Sequence, residues 1–239
     1  MARSGRMGMA AGALALSPGA AAAFLEFRRW HLRWGSTDDE VARGMPGDDL
    51  VADPTFAATR AITIHARPEQ VWPWIVQIGY GRAGFYSYDL LDNIGHGRSA
   101  DRIVPELQLL EVGDWIPMAP TVTEETAFYV STIDPGRSMV WSKPGSTWAW
   151  QVDERPDGST RLVTRVRLRY RWRRPGIVAD LVLMELGDFV MMRRELLGIR
   201  HRAERLAVEG GMDHANGTDG SGGADRQGRG SLHRSASLW

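Results

Sequence analysis

The chain of 239 residues contains no cysteine, which removes disulfides, thiolate nucleophiles, cysteine-based zinc sites and iron–sulfur clusters. It has no surplus of either charge: 29 Lys and Arg balance 29 Asp and Glu. No global field therefore recruits nucleic acid or steers a strongly charged substrate. Lysine is nearly missing, with Lys143 alone among arginines, a bias that carries no functional weight. A clean membrane-spanning run is also lacking. Residues Met7 to Leu25 are uncharged, but most are Ala and Gly, and Ser17-Pro18-Gly19 interrupts them. Any chemistry falls to His, Asp and Glu.

At 43% hydrophobic content the chain supports one well-buried core with tails. The uncharged run admits three readings: a short membrane anchor, a cleaved signal core, or a loosely ordered extension. Arg28, Arg29 and Arg33, interleaved with Trp30 and Trp34, form an interfacial pattern that would keep the main domain on the cytoplasmic side of an anchor. Thr37-Asp38-Asp39-Glu40 has the spacing of a capping box, so a short helix starts there. Thr59 to Ala66 reads as a strand, with Ile62 and Ile64 on one face and Thr63 and a solvent-facing His65 on the other. Pro68-Glu69 opens a helix containing Val71, Trp74, Ile75 and Ile78, with Pro73 as a kink.

Gly79-Tyr80-Gly81-Arg82-Ala83-Gly84 matches the dinucleotide fingerprint letter for letter, but it follows a helix rather than a parallel strand. The reading is a connection to a second short helix, Tyr88 to Ile94, capped by Ser87. Turn signals then recur at Asp134-Pro135-Gly136, Lys143-Pro144-Gly145-Ser146 and Pro156-Asp157-Gly158-Ser159, the rhythm of an antiparallel meander. In the last strand Leu162, Thr164, Val166 and Leu168 alternate with Arg161, Arg165, Arg167 and Arg169, and the pattern continues to Arg173. That arginine face is expected to be solvated and paired with Glu124, Glu125, Asp153 and Glu154. A helix from Ile177 to about Val208 carries an apolar stripe including Val178, Val182, Leu186, Phe189, Leu196 and Leu197. The Gly- and Ser-rich remainder cannot repay the entropy of ordering.

The predicted fold is α+β: a helix grip, in which a curved antiparallel sheet of about seven strands wraps a long C-terminal helix, with two short helices after the first strand. The chain divides into an apolar and basic extension (1–35), a capped helix and linker (36–57), the helix-grip domain (58–208) and a disordered tail (209–239). Six stretches carry a resemblance: Trp34-Gly35-Ser36-Thr37, Pro46-Gly47-Asp48, Val71 to Gly79, Gly84-Phe85-Tyr86-Ser87-Tyr88-Asp89, Ala100 to Glu106, and Val112-Gly113-Asp114. These resemble bacterial members of the SRPBCC superfamily, which includes START-type lipid carriers, pollen-allergen-like proteins and polyketide cyclase/dehydrase-like proteins. The resemblance spans roughly Trp34 to Leu206. It implies a cavity between the concave sheet face and the long helix, with the short helices at its mouth.

Nine aromatics fall on the elements that the resemblance sets around such a cavity: Trp72, Phe85, Tyr86, Tyr88, Trp115, Tyr129, Trp141, Trp148 and Trp150. Each either lines a cavity or simply fills the core. His96, Asp101, Arg102 and Glu106 form a candidate polar rim, with spacing that favours neither a metal site nor a catalytic group. The expected partner is a hydrophobic small molecule, lipid- or polyketide-like, bound without metal, cofactor or nucleic acid. Two alternatives stand beside carriage: a cyclase/dehydratase acting on a polyketide-like substrate, and a membrane-associated interaction protein using the N-terminal segment. The expected location is cytoplasmic, with or without membrane contact, and oligomeric state is open.

Overall fold

The computed structural model describes residues 17–93, 97–169 and 177–218, and within the last helix the side chains of 184–210. Its elements run α1 (Pro18–Leu32), α2 (Asp38–Ala42), β1 (Phe56–Ile64), α3 (Pro68–Val76), α4 (Asp89–Asp92), β2 (Trp115–Pro117), β3 (Ala127–Asp134), β4 (Ser138–Lys143), β5 (Ser146–Glu154), β6 (Thr160–Leu168) and α5 (Ile177–Thr218). The strands form one antiparallel sheet in the order β1-β6-β5-β4-β3-β2. This is the helix grip, α+β as expected, with six strands among the described residues rather than seven. The meander loses a member at its far end. There β2 is three residues long and stops at Pro117, which has no N–H and so belongs on an edge. The chain that precedes it turns at Pro105–Leu107 instead of pairing.

Ser17-Pro18, read as an interruption, is a helix start. The Ser17 hydroxyl accepts from the Ala20 N–H at 3.3 Å and Pro18 takes the first helical position. The capping box of α2 is complete: Glu40 N–H donates to Thr37 Oγ1 at 3.2 Å, and Thr37 N–H donates to Glu40 Oε2 at 2.7 Å. The glycine fingerprint forms a closed loop in which the Gly79 and Gly84 amides each donate to the other's carbonyl. The second short helix is one turn, Asp89–Asp92, with Tyr88 rather than Ser87 in the capping position. Helix α5 continues ten residues past Val208, through Thr218. Residues 219–239 lie outside the described residues, as do the side chains of Val178 and Val182.

Strand alternation creates two apolar layers. On the concave face Ile62, Ile64, Met139, Trp141, Trp150 and Leu162 pack against Trp74 and Ile75 of α3 and Leu196 and Ile199 of α5. On the convex face Met45, Ala61, Val140, Ala149 and Val163 form a smaller core beneath the segment that carries α2. The segment is held there by the arginine face of β6, which is covered rather than solvated. The Arg165 guanidinium donates to the carbonyls of Glu40, Val41 and Arg43, to Thr59 Oγ1 and to Asp48 Oδ2 at 2.6 Å. Arg161 makes a two-pronged pair with Glu40, and Arg167 donates to the Val51 and Ala52 carbonyls. Burial pushes the Glu40 carboxyl up, but hydrogen bonds from Arg161 and Thr37 outweigh it and hold the group below the ordinary value. Among the described residues the arginines of this face pair with Glu40, Asp48 and Asp53 rather than with the expected Glu124, Glu125, Asp153 and Glu154, and Asp153 pairs instead with Arg43. Arg171 and Arg173 lie outside the described residues.

Replacing Arg165 with Met strips three buried carbonyls and Asp48 of a shared donor. It should cost about 3–5 kcal/mol of unfolding free energy in urea titrations. A loss under about 1 kcal/mol, the range of an exposed ion pair, would show that the segment is held by other contacts.

Candidate functional site

Helix α5 crosses the concave face, and near its middle, beside α4, the packing is incomplete. A pocket of about 290 Å3 opens there. Its apolar wall is Phe85, Leu91, Met118, Trp148, Met191 and Met192, and its polar wall is Ser87, Asp92, Asp188 and Glu195. Trp148 stacks on Trp150 with centroids 5.2 Å apart, and its indole N–H donates to Thr164 Oγ1 at 2.9 Å, so the ring facing the pocket is fixed. Gly198 of α5 allows close approach to the Phe85–Tyr86 turn, because a Cβ there would run into the Tyr86 carbonyl. Tyr86 itself has φ 59° and is locked in the core. Its hydroxyl donates to the Trp74 carbonyl and accepts from Gln77 Nε2, which excludes it as a mobile acid.

The three carboxyl groups differ sharply. Asp188 accepts from Arg60 Nη1 at 2.7 Å, and Arg60, 1% exposed, also donates from Nε to the His31 carbonyl. Glu195 is 3% exposed, and its Oε1 has no hydrogen-bond partner. Asp92 is 5% exposed, and neither oxygen reaches bonding geometry, although Ser87 lies beside it. Burial, followed by the negative charges of Asp92 and Asp188, pushes the Glu195 carboxyl well up. Burial also raises Asp92, against the pull of Ser87 and its backbone neighbours. Burial and its acidic neighbours thus favour the protonated form of Glu195 relative to an exposed glutamate. Burial and the positive charge of Arg60 lower the His31 imidazole. No group of His, Asp and Glu among the described residues is arranged to hold a metal ion.

Of the nine aromatics, Phe85 and Trp148 line this pocket. Trp141, Trp150 and Tyr86 are core residues, and Trp72 packs half-buried against that core. Tyr88 is exposed at the start of α4. Trp115 and Tyr129 lie on the opposite face, because alternation turns their neighbours Ile116, Phe128 and Val130 inward. There they meet edge to face at 6.1 Å and line a separate groove together with Leu50 and Lys143. Of the expected polar rim, Asp101, Arg102 and Glu106 are exposed on a loop tied down by Gln77, which donates to the Arg102 carbonyl and accepts from the Val104 amide. His96 lies outside the described residues. The acids in the pocket wall are Asp92, Asp188 and Glu195. A signal for Glu195 was present in the sequence, since it stands three residues after Met192 and four before Ile199, in the inward stripe of α5.

No protein-family model matches the chain, and comparison with curated proteins finds no relative. Among solved structures it is similar to a polyketide-cyclase-like protein from Corynebacterium glutamicum, with 16% identity and a TM-score of 0.39 over 60% of this chain and 88% of that one. It is similar also to a protein from Mesorhizobium loti, with 12% identity and a TM-score of 0.37 over 63% and 98% of the two chains. A third is a protein of the dynemicin biosynthetic locus, with 14% identity and a TM-score of 0.31 over 60% and 46%. Likeness at this level attaches neither ligand nor activity to this chain.

Folded Glu195 keeps a proton that the unfolded chain gives up near its ordinary value of 4.5. Stability contributed by this position therefore falls as pH rises above that value, and the fall continues towards the raised folded value. Glu195→Gln removes the slope. In urea titrations the variant should gain on the parent as pH rises above about 4.5, by up to about 1.4 kcal/mol per unit. A constant difference across that range would place an ionised Glu195 in the fold.

Proposed function

We propose that the protein binds a hydrophobic small molecule in the pocket between β5 and α5. The observation that carries this reading is a cavity of about 290 Å3 bounded by Phe85, Trp148, Met191 and Met192 and left unfilled by an otherwise close-packed core. A lipid- or polyketide-like molecule, or an apolar part of one, suits such a wall, and methionines adapt to irregular shapes.

A second reading is proton-transfer catalysis of the cyclase/dehydratase kind. It is favoured by two unpaired carboxyl groups, Asp92 and Glu195, in the wall of the same pocket. Exchange of solvent deuterium into the carbon beside the carbonyl of a bound ketone would be its sign.

Membrane contact through the N-terminal helix is supported by the exposed Phe24, Leu25, Phe27 and Trp30 on α1, although no helix of the described residues is long and apolar enough to cross a membrane. Full-length protein should cosediment with anionic vesicles, and Trp30→Ser with Leu25→Ser should abolish this.

Native mass spectrometry of purified full-length protein should show a bound apolar mass. Met192→Trp should fill the pocket and remove that mass while the far-ultraviolet spectrum is unchanged. A parent protein that carries no mass and binds no apolar ligand offered to it would overturn the carrier reading.

A further inference from the structure

The side-chain oxygens in the pocket wall that lack a partner are Glu195 Oε1 and both oxygens of Asp92, together with the Ser87 hydroxyl, which can donate or accept. The nitrogen donors nearby are committed or face elsewhere. The Trp148 indole N–H is held by Thr164, and Arg60 is held by Asp188 and the His31 carbonyl, with its unpaired Nη2 on a residue that does not line the pocket. The unpaired indole N–H groups of Trp74, Trp141 and Trp150 belong to core rings outside the lining. Glu195, 3% exposed and with an orphaned oxygen, is thus a built feature of the cavity wall rather than part of a solvated acidic patch.

We propose that the pocket selects an apolar molecule bearing a basic nitrogen, whose ammonium group is held between Asp92 and Glu195. This rests on the carrier reading and names the head group it takes. Three ligand chemistries compete for the same wall. A carboxylate or phosphate would meet Asp92, Asp188 and Glu195 with no free cation to offset them. A carbonyl or alcohol would satisfy one carboxyl and leave the other unpaired in an apolar setting. A primary ammonium has three N–H donors and a charge, enough for both carboxyls and Ser87 together. The rings of Phe85 and Trp148 in the same wall suit the cation and the apolar remainder alike.

The charged groups around the pair come from four elements: Asp89 and Asp92 on α4, Asp188 and Glu195 on α5, Arg60 on β1, and His31 on α1. Asp89 is occupied by the Ser99 amide and hydroxyl, and Arg60 and Asp188 neutralise one another. The amine arrives as a cation, and a proton held by Glu195 passes to solvent as the ion pair forms. At roughly 30 Å3 per non-hydrogen atom, the pocket has room for about ten such atoms.

The test is calorimetric titration of the full-length protein with phenylpropylamine, phenylpropanol and phenylpropionate, in two buffers of different ionisation enthalpy. The amine should bind about tenfold or more tighter than the alcohol, and the propionate weakest. Buffer dependence should show proton release with the amine and none with the alcohol. Glu195→Gln and Asp92→Asn, near-isosteric changes, should each weaken the amine about tenfold while moving the alcohol less than about threefold. Alcohol binding as tight as amine binding, tighter propionate, or amine binding untouched in both variants would each overturn the amine assignment while leaving the carrier reading intact. Silence from all three compounds, with no mass retained in native spectrometry, overturns both.

Discussion

Thr63 faces Arg161 and Thr59 faces Arg165 because β1 and β6 pair over nine residues, from Phe56 opposite Leu168 to Ile64 opposite Thr160. This register joins the start of the domain to the end of its sheet and sets which side chains point where on both faces. On the convex side it aims the β6 arginines at residues 40–53 and so brings α2 down over Ala61, Val140 and Val163. On the concave side it points Arg60 at α5, where Asp188 meets it. A shift of one residue would exchange the two faces and lose both attachments together.

The molecule buries charge in two different ways. Arg60 and Arg165 are buried with partners, and each ties a separate stretch of chain to the sheet: α1 and α5 in one case, the α2 segment in the other. Pairing of that kind is costly to break from one side, whatever its net worth against an apolar substitute. Both oxygens of Asp92 and the Oε1 of Glu195 are buried without hydrogen-bond partners, where the pocket opens beside α5. A group in that position destabilises the fold unless it is protonated or met by something else. The contrast between satisfied and unsatisfied charge, more than the size of the pocket, is what the proposed binding site rests on.

Both faces of β6 were legible as alternation, as were the strand at Ile62 and Ile64, the capping box at Thr37 and the failure of the glycine fingerprint. Each depends on neighbours within a few residues, and local backbone geometry follows from them. What covers the arginine face was not legible, since residue 40 meets residue 161 only after the sheet has closed. The same limit explains the aromatics. Alternation shows that Trp148 and Trp150 share a face, but whether a ring fills the core or lines a gap depends on the height at which α5 crosses it.

By itself the sequence determined the α+β class, the meander with its final long helix, and an interior rich in aromatic rings, because periodicity and turn chemistry are properties of short segments. Tertiary structure decided which acids matter. Asp92 and Glu195 stand more than a hundred residues apart, and neither sits in a pattern that marks chemistry until packing brings α4 against α5 and excludes water from both. Burial turns two ordinary carboxyl groups into a site, and burial is a property of the assembled fold.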